Sequence, residues 1–239
     1  MPRNENPSGI RSRVRRKKWL WVAGILLVVG SLSLVGLNEI ISHGDTYIAD
    51  LTTGNRDFRI VHTSSTETFY RPDGLHMRIT RPGAWSAPIG LTATSGHPAL
   101  SIAISATELH VESPSGLGPG IGPWCFDGEG YGFMHFRSGL SALVRRKSDG
   151  VVTVLASHRG SPWLPGKKAI LTIQCSTDSG KVTLRSFLNG KFVVGATRSS
   201  SIIEFHSGGF VGFAPASSGI TTEWTVSKYW RLPPASLPK

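Results

Sequence analysis

Between residues 58 and 230 the chain breaks into short runs of alternating β-branched, aromatic and polar residues. Each run closes on a turn, and none carries a convincing helical period. The clearest unit is KVTLRSFLNGKFVV, residues 181–194, which reads as strand, two-residue turn, strand. Asn189-Gly190 suits a type I′ turn, because both central positions there need positive φ. That turn places Leu188 opposite Lys191 and Phe187 opposite Phe192, a cross-strand aromatic pair. SDG at 148–150 and DSG at 178–180 mark two further reversals.

Other expected strands are FRIVH (58–62), GLHMRIT (74–80), APIGLTA (87–93), LSIAISATELHVE (100–112) and GYGFMHF (130–136). LSALVRR (140–146), GVVTVLAS (150–157), KAILTIQC (168–175), GGFVGFA (208–214) and TTEWTVSKYW (221–230) complete the set. GLGPGIGP (116–123) reads as a loop. No 20- to 50-residue period repeats, which excludes solenoids and propellers. Many short strands at this spacing mean an all-β sandwich or barrel, and the sandwich is the expectation.

A different signal precedes them. Residues 19–37, WLWVAGILLVVGSLSLVGL, hold no charge over nineteen positions. As a helix the run spans roughly 28 Å, close to the thickness of a bilayer's hydrocarbon core. Trp19 and Trp21 stand where an interfacial belt would place them. Ahead of it lie Arg3, Arg11, Arg13, Arg15, Arg16, Lys17 and Lys18 against Glu5 alone, so over half of the net charge of +11 sits in the first eighteen residues. The expectation is a basic cytoplasmic tail (1–18), a transmembrane signal anchor (19–37), a stalk or lead-in (38–57), an extracytoplasmic domain (58–230) and a C-terminal tail (231–239). A cleaved signal peptide would want a shorter apolar run and a small-residue cleavage site, and VGLNEIISHGD offers none. Arg15-Arg16 is only a loose match to a twin-arginine signal, and a buried core helix fits poorly with so basic a flank. The location, not the charge, argues against nucleic acid as a partner.

Cys125 and Cys175 are the only cysteines, and both follow the expected anchor. Outside the cytoplasm such a pair favours a disulfide, closing a loop of about fifty residues that stabilises by roughly 4 kcal/mol. Two free buried thiols are the alternative. Two cysteines without suitably spaced histidines do not make a zinc site, and no metal or cofactor is expected.

The order GLHMRITRPGAW, GYGFMHFRSG, W…LPGKKAILTIQC, GKVTLRSFLNGKFV, GGFVGFAPASSG and WTVSKYW resembles the laminin-G-like branch of the concanavalin A-like lectin/glucanase superfamily. The likeness spans about residues 58–230. It implies a two-sheet antiparallel jelly roll and no single activity, since such folds host lectins, glycosidases, adhesion modules and spacers. The chain departs from the family's usual ending, where Val226-Ser227-Lys228-Tyr229 replaces the acidic and amide residues.

A glycosidase needs two carboxylates at cooperating distance. The E-x-D-x-x-E run of the related glucanases is absent, and Asp127-Gly128-Glu129 is the nearest pair, in a glycine-flanked turn. Glu108 and Glu112 lie roughly 13 Å apart if extended. The eight histidines are scattered, with no H-E-x-x-H. Basic residues gather as Arg145-Arg146-Lys147, Lys167-Lys168 and Lys181/Arg185/Lys191, suited to lipid headgroups, teichoic-acid-like polymers or acidic glycans, or else to simple solubility. Trp124 and Trp163 are expected near loops, as the exposed tryptophans of a sugar platform. The expected function is a non-catalytic, membrane-anchored module for carbohydrate or another cell-envelope polymer. The alternatives are a partner-binding subunit of an envelope complex, its protein partner unspecified, and a glycoside hydrolase with an atypical acid pair.

Overall fold

Alternation along the chain translates into two antiparallel sheets packed face to face in a computed structural model. The structure describes residues 47–53, 56, 58–88, 96–111, 116–127, 129–202, 204–214 and 221–232. The basic tail and charge-free run lie outside them. Among the described residues no helix is long and apolar enough to cross a membrane.

The strands are β1 (Tyr47–Asp50), β2 (Thr66–Arg71), β3 (Gly74–Ile79), β4 (Trp85–Ser86), β5 (Ala99–Val111), β6 (Gly120–Asp127) and β7 (Glu129–Phe136). They continue with β8 (Leu140–Arg146), β9 (Val152–Arg159), β10 (Lys168–Asp178), β11 (Lys181–Leu188), β12 (Lys191–Ser199), β13 (Ser207–Phe213) and β14 (Thr222–Leu232). The larger sheet runs β12-β11-β10-β5-β14-β3-β2, with β1 added to β14. The smaller runs β4-β13-β6-β7-β8-β9. Neighbouring partners distant in sequence, such as β5 beside β14 and β6 beside β13, give the jelly-roll connectivity expected from the family likeness.

The core lies between the sheets. Leu75, Met77, Ile102, Ile104, Ile173 and Trp224 of the larger sheet meet Ile121, Tyr131, Phe133, Leu143 and Phe210 of the smaller. Among the described residues, the buried residues of this core fall within residues 49–229. The unit from Asp45 to Lys239 is therefore compact by itself.

Local expectations fare unevenly. The hairpin has Leu188 against Lys191 and Phe187 against Phe192, with Asn189 and Gly190 at φ 50° and 76°. The register shifts between Ser186 and Phe187, just before the turn. Residues 58–62 form only isolated bridges at Phe58 and His62, whereas β2 arises from a polar segment, TETFYR, that lacks an obvious strand pattern. Within the expected lead-in, β1 pairs with β14, Ala49 opposite Tyr229. The expected strand at 87–93 lies mostly outside the described residues.

One expectation is reversed. The glycine- and proline-rich segment read as a loop ends in β6, an interior strand of the smaller sheet. Its ladder to β13 is continuous from Phe213↔Gly120 to Ser207↔Phe126. Its ladder to β7 skips Gly122 and Pro123, where proline has no N–H to donate. At Gly122 the Phe133 carbonyl approaches so closely that no side chain would fit.

Candidate functional site

Cys125 on β6 and Cys175 on β10 both point into the core and are bonded, with Cα atoms 6.6 Å apart. The bond joins the two sheets near one end of the sandwich. Also at that end are the β6–β7, β8–β9 and β10–β11 turns and the segment after β12, since adjoining strands run antiparallel.

Between the β10–β11 turn and residues 200–202 lies a recess of about 350 Å³, lined by Pro98, Thr177, Asp178, Ser179, Ser200 and Ile202 among others. Ser179 and Gly180 have φ 48° and 73°, the left-handed pair a two-residue turn requires. Backbone hydrogen bonds hold the walls: Ser200 N–H donates to the Gly180 carbonyl at 3.0 Å, and Thr177 N–H to the Pro98 carbonyl at 2.7 Å. Ser179 Oγ donates to Asp178 Oδ1 at 2.8 Å, and Tyr131 Oη donates to Ser200 Oγ at 3.4 Å. Pro98 and Ile202 supply apolar surface, and the hydroxyls and the Asp178 carboxylate supply polar edges.

Five of the residues selected from sequence gather at this same end. Asp127 and Glu129 are Cα partners across the β6–β7 turn. Glu129 accepts two hydrogen bonds from Arg145, at 2.8 Å from Nε and 2.7 Å from Nη2, so both its oxygens are engaged. That bonding raises the Arg145 pKa further above its ordinary value. Arg145 is thus tied within the protein, while Arg146 and Lys147 are exposed at the end of β8.

The two tryptophans stand differently from expectation, and both are corrected to buried. Trp124 projects from the outer face of the smaller sheet and is fully buried. Its indole lies across Gly130 and Gly132 of β7, alongside Phe126 at 5.9 Å and edge-on to Trp85 at 6.1 Å. Its Nε1 donates to Met134 Sδ at 3.3 Å. With Phe136, Val144 and Val211 it builds a second apolar cluster on that face. Trp163 is 7% exposed and turns inward from the β9–β10 connection. Its indole N–H donates to the Lys167 carbonyl at 2.8 Å and its ring packs 5.4 Å from His135. Neither offers a free aromatic face: Trp124 lies over a glycine-lined sheet surface, and Trp163 packs into the core.

Two buried titratable groups lie near Trp163: Glu108, set aside in the sequence as too far from Glu112, and His135, which the sequence did not single out. Glu108 is buried, and Arg137 Nη1 donates to its Oε2 at 3.0 Å. Burial pushes its carboxyl up to about 7 against the opposing pull of Arg137. His135, also buried, has Nδ1 2.8 Å from Ser141 Oγ, and burial lowers its pKa to about 4. Both sit behind Trp163 and its loop, away from the recess. On the outer face of the larger sheet, His76 lies between Glu223 at 2.8 Å and Asp73 at 2.7 Å, and Arg78 also binds Glu223. The members of this cluster bind one another. Among the described residues no group of three or more acidic, histidine or cysteine side chains is placed to hold a metal ion.

No protein-family model and no curated protein sequence matches the chain. Solved structures do match in fold. A protein of unknown function with a galectin-like fold from Bacillus subtilis superposes with a TM-score of 0.53 at 10% identity, over 80% of this chain and 96% of its own. A Lotus tetragonolobus seed lectin gives 0.51 at 10% identity, over 78% and 96%. The Bacillus licheniformis β-glucanase gives 0.50 at 7% identity, over 80% and 99%. The likeness shows the fold alone, a two-sheet galectin-like jelly roll.

Proposed function

We propose that the chain is a membrane-anchored, extracytoplasmic module of laminin-G-like type that binds carbohydrate or a related cell-envelope polymer without catalysing its cleavage. The recess at the disulfide end carries this reading. Its volume lies in the range of small-ligand sites, and its apolar floor with hydroxyl and carboxylate edges matches a sugar ring, apolar on its faces and polar around its rim. Arg146 and Lys147 stand exposed at the same end and favour ligands with negative charge. Glu129, the described carboxylate of the sequence's acid pair, is committed to Arg145 and is poorly placed to exchange a proton with substrate. The charge-free run at 19–37 and its basic flank support the anchor, and lectins among the structural neighbours support the ligand class.

The test is a glycan and wall-polymer array probed with residues 45–239 and with Asp178→Ala and Ser200→Trp variants. Binding that both variants abolish is expected. A wild-type domain that binds nothing at any salt concentration overturns the reading. Loss of residues 1–37 from the mature protein would overturn the anchor separately.

A further inference from the structure

Folding merges two of the basic groups that were separate in sequence. β10 begins at Lys168, and the β11–β12 hairpin tip folds onto it: Ile170 N–H donates to Asn189 Oδ1 and Asn189 N–H to the Ile170 carbonyl, both at 2.8 Å. Lys167 and Lys168 thereby stand beside Lys191, with Arg185 further along β11. Lys181 lies at the opposite end of that strand. None of Lys167, Lys168, Arg185 and Lys191 pairs with a carboxylate among the described residues. The described carboxylate nearest this strand end, Glu108 beside Thr107↔Lys168, is buried on Arg137.

The same end exposes large apolar side chains. Leu164 is 60%, Phe192 56% and Ile170 41% exposed. Leu164 caps a turn closed by Lys167 N–H on its carbonyl. Phe192 meets Phe187 edge-to-face at 5.9 Å, and the Arg185 guanidinium lies 5.7 Å from both rings. Solvation explains exposed cations by themselves. Three protruding apolar side chains among four cations with no carboxylate partner among the described residues do not serve solubility.

We propose that this end of the sandwich docks on an anionic lipid surface, with Leu164, Ile170 and Phe192 entering the headgroup boundary and Lys167, Lys168, Arg185 and Lys191 facing the lipid charge. A hydrated polyanion would reward the cations and leave the aliphatic side chains unanswered; a bilayer rewards both. β11 runs from the recess turn to the hairpin tip, eight residues or roughly 25 Å. Docking by the tip therefore leaves the recess facing away from the lipid.

The experiment is flotation of residues 45–239 with vesicles of phosphatidylcholine alone or with about one-third phosphatidylglycerol. Association is expected with the anionic vesicles only. Each of Lys168→Gln, Arg185→Gln and Lys191→Gln should weaken it roughly five-fold, from about 1 kcal/mol per cation. Phe192→Ser should weaken it while leaving near-ultraviolet dichroism native, and Asp178→Ala should leave it unchanged, which separates this surface from the recess. Failure to bind, equal binding to both vesicles, or indifference to the substitutions overturns the proposal. Equally tight capture by soluble heparin, undiminished in Phe192→Ser, also overturns it and assigns the patch to polyanions.

Discussion

The indole of Trp124 lies flat across Gly132, and a methyl group added at Gly132 would overlap its ring. The same relation recurs where Phe136 covers Gly120 and Trp124 and Phe126 flank Gly130. Aromatic side chains of the smaller sheet's outer face are seated in glycine vacancies of neighbouring strands. Gly132→Ala should therefore act as an overpacking change and cost about 1–3 kcal/mol. Urea denaturation followed by tryptophan fluorescence checks this, and an unchanged midpoint would contradict the flat seating of Trp124.

The Cys125–Cys175 bond is the covalent link between the sheets and spans fifty positions of sequence. Replacing both residues by alanine should lower stability by about 4 kcal/mol, chiefly by releasing the unfolded chain. Comparing the double variant with the oxidised protein by urea midpoint measures it. A loss below about 1 kcal/mol would mean that packing between the sheets already supplies the constraint.

Two buried groups behind Trp163 should pull stability in opposite directions with pH. The folded Glu108 carboxyl has its pKa raised from 4.5 to about 7, so it holds a proton that the unfolded chain releases. Its contribution is complete below about pH 4.5 and disappears as pH rises through 7. His135 is lowered from 6.5 to about 4, so its contribution is complete above pH 6.5 and disappears as pH falls through 4. Each is worth on the order of 3 kcal/mol, and between pH 4.5 and 6.5 they largely cancel. Glu108→Gln should expose a stability that climbs with pH across that window, and His135→Gln one that declines. Urea midpoints at a series of pH values decide the signs.

At the hairpin tip, Gly190 holds φ 76° with open space around it. Gly190→Ala should cost about 1–2 kcal/mol from backbone strain alone. Asn189→Ala should cost a comparable amount, because it also removes the acceptor for Ile170 N–H. Thermal melts of the two variants give the values. If the tip is the lipid-docking element, both should also weaken vesicle binding.

Much of the sandwich was legible from local pattern because strand alternation and turn chemistry act over a few residues. The β11–β12 hairpin, its facing phenylalanines and the reversals at 148–150 and 178–180 needed nothing beyond side-chain period and the φ demands of two-residue turns. The disulfide could be suspected from the expected compartment and the count of two cysteines. What local pattern could not show is which sheet surface receives a residue. Gly120, Gly122 and Pro123 break every local rule for an interior strand, yet β6 is one, because Phe136 and the Phe133 carbonyl occupy space that only glycine leaves open. Trp124 is hidden for the same reason. The polar β2 is a strand because β3 offers it a ladder. Lys168 and Lys191 form one surface only after Asn189 closes onto Ile170. Alternation and turns are properties of neighbours along the chain, so the sequence determined them by itself. Burial, the recess and the merged basic end depend on strands far apart in sequence meeting across a sheet, and only the tertiary structure decided those.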